Sequence, residues 1–136
     1  MATVIDADVA WKITGERIVA RLGERDFQGL AQGFHPQVRS RLLIPDGLMT
    51  PTGPGGLAEE FRRWFGDADR FDIERSQITQ VGDCLHVSYA IRLREEGQWY
   101  VVEQQTFSQL HPQDGTITRF DLLCSGFRRD FAPAAN

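Results

Sequence analysis

The sequence predicts an α+β fold, in which a curved antiparallel sheet of about five strands packs on three N-terminal helices and encloses an apolar pocket. Apolar residues recur at helical spacing in the first half of the chain, and they alternate with polar residues at a period of two in the second half. Short turns join the alternating segments, which is typical of consecutive hairpins. A twisted sheet that curls around helices without closing leaves a concave hollow, where ligands tend to bind.

Size and composition are those of one globular domain. The chain has 136 residues, 41% hydrophobic and 25% charged, so we expect a single domain over residues 1–136. The net charge of −4 disfavours nucleic-acid binding, which needs a concentrated positive surface. No apolar run approaches the roughly 20 residues that cross a bilayer, and Met1–Trp11 does not resemble a signal peptide. We therefore expect a cytoplasmic protein without membrane contact, in which Cys84 and Cys124 are reduced.

Three amphipathic helices are predicted before residue 67. The first runs from a cap at Asp8 to about Leu22, the second follows an N-cap at Asp26, and the third ends near Gly66. A Pro- and Gly-rich loop, Pro45–Gly56, precedes the third helix. The apolar stripe of the second helix is Phe27, Leu30, Ala31 and Phe34. The third helix has Leu57, Phe61, Trp64 and Phe65 on its apolar side and Glu59, Glu60, Arg62 and Arg63 on its wet side.

The second half of the chain predicts strands joined by hairpins. Turns at Glu95–Gly97 and Gln113–Gly115 connect the last three strands into an antiparallel meander. The clearest alternation has Leu85, Val87, Tyr89, Ile91 and Leu93 on its apolar side. The predicted strands are Val38–Ile44, Phe71–Val81, Cys84–Leu93, Trp99–Leu110 and Thr116–Phe127.

Four short motifs resemble those of the nuclear transport factor 2-like superfamily, which includes the ketosteroid isomerases and the SnoaL-like polyketide cyclases. In chain order they are Asp26-Phe27-Gln28-Gly29-Leu30 followed by Phe34, Ile44-Pro45-Asp46-Gly47, Gly55-Gly56-Leu57 with Phe61, and Gly115-Thr116-Ile117-Thr118-Arg119. Together they span roughly residues 10–128. The resemblance implies a cone-shaped fold, a pocket and homodimers that pack through the outer face of the sheet.

The catalytic residues of those relatives are not matched. The isomerase base would precede Pro45, where this sequence has Ile44, and the oxyanion-hole residues would fall near Ile18 and Gln105. The cyclase acid would fall at about Leu122. The resemblance therefore implies the fold and the pocket, and neither of these two mechanisms.

Glu103 and Gln105 are the strongest candidates for chemistry. They share a strand phase with Trp99, Val101 and Phe107, and the resemblance implies that this phase faces inward. A carboxylate in an apolar cavity is poorly hydrated, so its pKa rises and it can act as an acid or base near neutral pH. The alternatives are a reversed phase, or an Arg or Tyr that satisfies Glu103 structurally.

Asp46 is a second candidate base, because it lies beside the position of the family's base on a loop that can close over the pocket. Its Pro-Asp-Gly setting is equally typical of an ordinary turn, which we favour. Tyr89 offers a phenolic hydrogen bond to a ligand, or is a core ring. The other predicted pocket residues are Trp64, Phe107, Phe120, Leu122 and Cys124.

The leading hypothesis is a protein that binds a small, mostly apolar molecule carrying a carbonyl or hydroxyl group. An isomerase, cyclase or hydratase would use Glu103 as acid/base and Gln105 as hydrogen-bond partner. The competing hypothesis is a non-catalytic dimeric module, whose cavity is filled by the nine Phe and three Trp and whose outer sheet face binds a partner chain. Neither hypothesis needs a cofactor, and the three histidines lack metal-ligand spacing, so no metal is predicted.

Overall fold

The computed structural model describes residues 7–130, with side chains from residue 9 onward. The predicted absence of a signal peptide rests partly on residues 1–6, which lie outside the described residues. The helices are α1 Ala7–Gly23, α2 Phe27–Ala31 and α3 Gly53–Phe65. The strands are β1 Phe34–Ile44, β2 Gly47–Met49, β3 Arg70–Val81, β4 Cys84–Glu95, β5 Gln98–Leu110, β6 Ile117–Cys124 and β7 Arg128–Arg129. None of these helices combines the length and apolar character that crossing a bilayer requires.

Local sequence decides where the helices begin and end. Asp26 caps α2 as predicted, because its Oδ1 accepts the backbone N–H of Gly29 at 2.9 Å. Helix α3 begins at Gly53, earlier than expected, since Pro54 suits the first helical turn, where an N–H has no helical partner. It ends as predicted, with Gly66 as C-cap.

The strands form one mixed sheet in the order β2-β1-β6-β5-β4-β3, with β7 paired to β5. Strands β3 to β6 make the predicted antiparallel meander, and β1 lies parallel to β6. Register shifts in the β1–β6, β3–β4 and β5–β6 pairings bend the sheet, because a bulge increases local twist. Helix α1 packs against β3 and β4, and helix α3 packs against β1. Strand β5 lies in the middle of the strand order.

The first strand begins earlier than the sequence indicated. Phe34, predicted on the stripe of α2, opens β1 because the carbonyl of Gly33 accepts the N–H of Ile117 at 2.9 Å and holds the chain against β6. Pro36 has no N–H to donate to a ladder, and it lies in the stretch where the register of β1 shifts. The helical spacing that includes Phe34 therefore continues past the true end of α2.

Two-residue turns set the register of two hairpins. The β1–β2 hairpin lies inside the predicted loop, and Gly47 adopts a φ of 131°, which favours glycine. In the β4–β5 turn, Glu96 and Gly97 have φ values of 50° and 79°, as the tightest hairpin turns require. Glu95 is therefore opposite Gln98, and each odd-numbered residue of β4 is paired with an even-numbered residue of β5.

The core between the sheet and the helices is largely aromatic. Phe120 of β6 lies edge-on to Phe34, with 5.0 Å between ring centroids, and 6.3 Å from Phe61 of α3. Phe65 lies 5.3 Å from Phe71 of β3. The predicted apolar phase of β4 lines the same core, and its members are at most 4% exposed: Leu85, Val87, Tyr89, Ile91 and Leu93. The inward face of β4 is therefore the one that its alternation predicted.

Candidate functional site

The concave face of the central strand β5 carries a row of polar side chains. Gln104, Thr106 and Ser108 are each at most 1% exposed. Their surroundings are apolar, since Val87 of β4 and Leu122 of β6 lie directly opposite Thr106. Buried polar groups cost free energy unless they are hydrogen-bonded. Each side chain in this row therefore needs a hydrogen-bond partner.

Gln104 links a tyrosine to a cysteine across three strands, because Tyr89 and Cys124 are its direct neighbours on β4 and β6. The Tyr89 hydroxyl donates to Gln104 Oε1 at 2.6 Å, and Gln104 Nε2 donates to Cys124 Sγ at 3.3 Å. The N–H of Gly126 donates to the same sulfur at 3.4 Å. We call this network the Tyr89–Gln104–Cys124 chain. An amide nitrogen carries two hydrogens, so Nε2 has a second N–H to offer.

Burial keeps the hydroxyl of Tyr89 protonated. The side chain is 4% exposed, and desolvation raises the pKa of Tyr89 well above its usual value, with Cys124 raising it further. A protonated phenol donates to an acceptor, so it selects the oxygen of the Gln104 amide and turns the nitrogen toward Cys124. The hydrogen bonds of the Tyr89–Gln104–Cys124 chain therefore all run in one direction, from the tyrosine hydroxyl to the amide and from the amide to the sulfur.

The other two polar side chains of the row differ in their bonding. Thr106 Oγ1 donates to the carbonyl of Val87 at 3.1 Å. Ser108 Oγ is buried without a hydrogen-bond partner among the described residues. An unpaired buried hydroxyl costs about 1–3 kcal/mol, which a bound water or ligand at Ser108 would offset.

The polar chain ends at the rim of the sheet. Cys124 is the last residue of β6 and is partly exposed. Phe127, which is 37% exposed, stacks on Phe65 with 6.0 Å between centroids. Gly126 packs so closely on Pro45 of the β1–β2 turn that an added Cβ would lie 2.6 Å from Pro45 Cγ. Phe127 and this turn therefore border the exposed end of the Tyr89–Gln104–Cys124 chain.

Helix α3 contributes a buried carboxylate. Glu60 is 7% exposed, its Oε1 lies 3.0 Å from Arg63 Nη1, and its Oε2 is buried without a hydrogen-bond partner among the described residues. The prediction that Glu60 lies on the wet side is wrong, because α3 buries a wider face than its four-residue stripe and also covers Ala58. Trp64, a predicted pocket residue, lies one turn later on the same side and contacts Phe61 at 5.2 Å.

Glu103 lies on the convex face of the sheet, so its predicted inward orientation is wrong. Its side chain is 46% exposed, and its Oε1 lies 3.1 Å from Nη2 of Arg75 and 3.1 Å from Nη2 of Arg128. The two-residue turn at Glu96 and Gly97 is the cause, since it pairs the inward residues of β4 with even-numbered residues of β5. The Glu103 carboxylate is therefore in contact with solvent and does not lie in an apolar cavity.

Gln105 and Phe107 also face outward, against prediction, and both contact His86. The Nε2 of His86 lies 3.2 Å from Gln105 Oε1, and its ring stacks on Phe107 at 4.7 Å. The predicted outward orientation of His86 is confirmed. Trp99 and Val101 share this convex phase. A hollow of about 360 Å³ reaches Gln105, and it opens on the convex side rather than inside the cone.

The remaining predicted site residues fall in two places. Phe120 and Leu122 are 1% exposed and lie on the concave face, as predicted. Asp46 is exposed at the tip of the β1–β2 turn, which agrees with the favoured interpretation of Pro-Asp-Gly as an ordinary turn.

Within residues 7–130, no group of three or more His, Cys, Asp or Glu side chains is placed to hold a metal ion. His35 and His111, far apart in sequence, stack with 5.5 Å between ring centroids and 8° between planes. Each Nδ1 accepts a backbone N–H, from Gln37 and Gln113 respectively. Each histidine is therefore held by the backbone two residues further along the sequence.

No family model matches the sequence, and no curated protein matches it. Solved structures do match. A candidate polyketide cyclase from Xanthomonas campestris pv. campestris has a TM-score of 0.68 at 17% identity, over 87% of this chain and 92% of that one. A protein with a ketosteroid isomerase-like fold from Catenulispora acidiphila, in complex with trimethylamine, scores 0.64 at 15% identity, over 91% and 88%. An LEH-like epoxide hydrolase from M. tuberculosis scores 0.60 at 17% identity, over 85% and 82%. Similarity at these identities shows a shared fold.

Proposed function

We propose that this chain, which has the nuclear transport factor 2-like fold, is a single cytoplasmic domain that binds a small, mostly apolar molecule on the concave side of its sheet. The Tyr89–Gln104–Cys124 chain is the observation that carries the proposal, since it places an oriented amide in an apolar wall. The ligand carries a carbonyl or hydroxyl oxygen that accepts the second N–H of Gln104. The two free thiols, Cys84 and Cys124, support the cytoplasmic location.

Recognition follows from the surroundings of Gln104. Phe120 and Leu122, both 1% exposed, make the concave wall beside the polar row apolar. A single N–H in an apolar site discriminates strongly, because a ligand that lacks an acceptor leaves the donor unpaired. The proposed entry is at the rim, beside the exposed side chain of Phe127.

Glu60 is the group we propose for acid/base chemistry in place of Glu103. It is the carboxylate that α3 buries, and one of its oxygens is without a partner among the described residues. The carboxylate takes a proton from the carbon beside the ligand's carbonyl. The C–H electron pair becomes the double bond of an enolate, and the negative charge moves to the oxygen held by Gln104. Reprotonation of the enolate at another carbon is the reaction of an isomerase. Attack of the enolate on an electrophile is that of a cyclase, and loss of a hydroxyl is that of a hydratase in the dehydrating direction.

Binding is tested with a carbonyl probe, 2-acetylnaphthalene, in ¹H–¹⁵N NMR titrations. We expect localised shifts along the concave residues of β5, and Gln104→Leu weakens binding at least tenfold. Gln105→Leu is the matched control, because it makes the same chemical change on the convex face of the same strand, and it leaves binding within twofold. Shifts confined to the convex face, or equal losses in the two variants, contradict the proposal.

The chemistry is tested by exchange of the methyl protons of 2-acetylnaphthalene in D₂O. Enolate formation replaces these protons by deuterium, so the wild-type protein accelerates the loss of the methyl signal. Glu60→Gln abolishes the acceleration without abolishing binding. Glu59→Gln, on the exposed side of α3, retains it. If the wild-type protein exchanges the methyl protons no faster than buffer does, the acid/base role is contradicted. The binding role is then judged by the NMR titrations alone.

A second function, self-association through the convex face, is favoured by three exposed leucines. Leu48 lies opposite Leu43, and Leu43 opposite Leu123, so the three form one row across β2, β1 and β6. They are 62%, 48% and 46% exposed. Contiguous exposed apolar side chains are typical of interaction surfaces. We propose that a second copy of this chain covers the row of leucines. The same surface would be the dimer interface in the competing hypothesis of a non-catalytic dimeric module.

Sedimentation velocity tests the dimer. We expect the wild type to sediment as a dimer and Leu43→Lys/Leu123→Lys as a monomer. Val81→Lys replaces an equally exposed apolar residue at the end of β3 and leaves the dimer intact. A wild-type protein that stays monomeric at about 100 μM contradicts this second function.

A further inference from the structure

The convex face carries a row of hydrogen-bond donors at the end of β1 and β6 away from the leucines. Arg39 of β1 lies directly opposite Arg119 of β6, and Arg119 lies opposite Gln109 of β5. Adjacent strands are about 4.8 Å apart, so the two guanidinium groups start from neighbouring positions. Like charges directly opposite one another destabilise a sheet unless a counterion lies between them.

One carboxylate serves this region. Asp121 accepts two hydrogen bonds from Arg41, at 3.0 Å from Nε and 2.9 Å from Nη2, and lies 3.4 Å from Nε of Arg119. Arg39 has no ion-pair partner among the side chains that the structure describes. Three guanidinium groups and one carboxylate leave a local excess of positive charge, on a chain whose net charge is −4.

The excess charge faces an open space. A hollow of about 430 Å³ is lined by Arg39, Arg119, Gln109 and Thr118, with Arg41 and Asp121 beside them. Thr118 Oγ1 already donates to the carbonyl of Gln109 at 3.2 Å, which leaves the two arginines and the Gln109 amide as donors. Guanidinium groups bind carboxylate and phosphate through paired N–H groups.

We infer that Arg39, Arg119 and Gln109 form a site for a compact oxyanion, a phosphate or carboxylate group, on the convex face. This site is separate from the concave site proposed above and does not depend on it. It lies four residues along β1 from Leu43, about 13 Å at the usual rise of a strand. The anion screens the repulsion between the two arginines and hydrogen-bonds to both.

Inorganic phosphate is the probe, titrated into ¹⁵N-labelled protein at low ionic strength. We expect saturable shifts of the amides around residues 39 and 119. Arg39→Gln/Arg119→Gln weakens binding at least tenfold. Arg75→Gln/Arg128→Gln removes the same charge from the same face and keeps affinity within twofold. All four arginines are exposed, and circular dichroism verifies that both variants fold.

Two further measurements test whether phosphate binding is specific and where the natural oxyanion comes from. Sodium chloride at matched ionic strength must not reproduce the shifts; if it does, or if both double variants weaken binding equally, the site is overturned. Sedimentation with and without phosphate identifies the source. Phosphate that dissociates a dimer shows that the natural oxyanion is a carboxylate of a second copy, and phosphate that binds at unchanged mass shows that it is a free ligand.

Discussion

The two faces of β5 carry polar side chains in equal measure and use them in opposite ways. On the concave face, Gln104 is 1% exposed and hydrogen-bonds to Tyr89 and Cys124. On the convex face, Glu103 is 46% exposed and shares its carboxylate between Arg75 and Arg128 in contact with water. Polarity along a strand therefore does not show which face is buried.

The difference has an energetic consequence. Water replaces a lost partner on the convex face, whereas nothing replaces it on the concave face. The same substitution made on adjacent residues should thus give unequal losses of stability.

Phe120→Ala should lower the free energy of unfolding by about 3–5 kcal/mol, because the ring is fully buried between Phe34 and Phe61. Phe107→Ala is the control on the convex face, where the ring stacks on His86 and is partly exposed, and it should cost well under half as much. Urea unfolding measures both. Equal losses mean that the convex face is also covered, as in a stable dimer.

Tyr89→Phe should cost about 1–3 kcal/mol, since Gln104 Oε1 loses its donor while remaining buried. The variant also tests the raised pKa of Tyr89. A pKa that is higher in the folded state means that the contribution of Tyr89 is complete below its unfolded pKa, near 10, and is lost as pH rises through the folded value. Wild-type stability should therefore fall above about pH 10, and less so in Tyr89→Phe. Tyr100→Phe, which changes the chain's other tyrosine, is the matched control.

Asp121 tests the convex face at acid pH. The hydrogen bonds from Arg41 hold the pKa of Asp121 below its usual range. A lowered folded pKa gives stability that is present above the unfolded pKa, near 4, and is lost as pH falls through the folded value. Asp121→Asn should cost about 1 kcal/mol or less at pH 7 and nothing once the carboxyl is protonated. A loss that persists unchanged at low pH points to packing rather than to charge.

Most of the fold was predictable because its signals are local. The Asp26 cap, the Gly66 stop and the alternation in β4 are each determined by a few neighbouring residues, and the resemblance to the nuclear transport factor 2-like superfamily is confirmed at the level of fold. The errors occurred where a distant partner decides. Phe34 belongs to β1 because of a hydrogen bond between Gly33 and Ile117, which no local pattern reveals.

The candidate site was harder to predict because both phases of β5 contain polar residues. The signal that resolves it lies in the turn. A two-residue turn at Glu96 and Gly97 places Glu95 opposite Gln98, and the apolar phase of β4 then assigns Gln104 to the core. The burial of Glu60 has no comparable signal, since it depends on how wide a face of α3 the sheet covers.

Glu103→Gln should change stability least, and it tests the difference between the two faces of β5 directly. Exposed ion pairs contribute about 0–1 kcal/mol, so the loss of stability should stay within that range even though Arg75 and Arg128 both lose a partner. Binding of 2-acetylnaphthalene and its methyl exchange should remain at wild-type levels, in contrast to Gln104→Leu and Glu60→Gln. Urea unfolding measures the stability, isothermal titration measures the binding, and the methyl proton signal in D₂O measures the exchange. If Glu103→Gln abolishes exchange while Glu60→Gln does not, the chemistry belongs to the convex hollow and the assignment of the two faces must be exchanged.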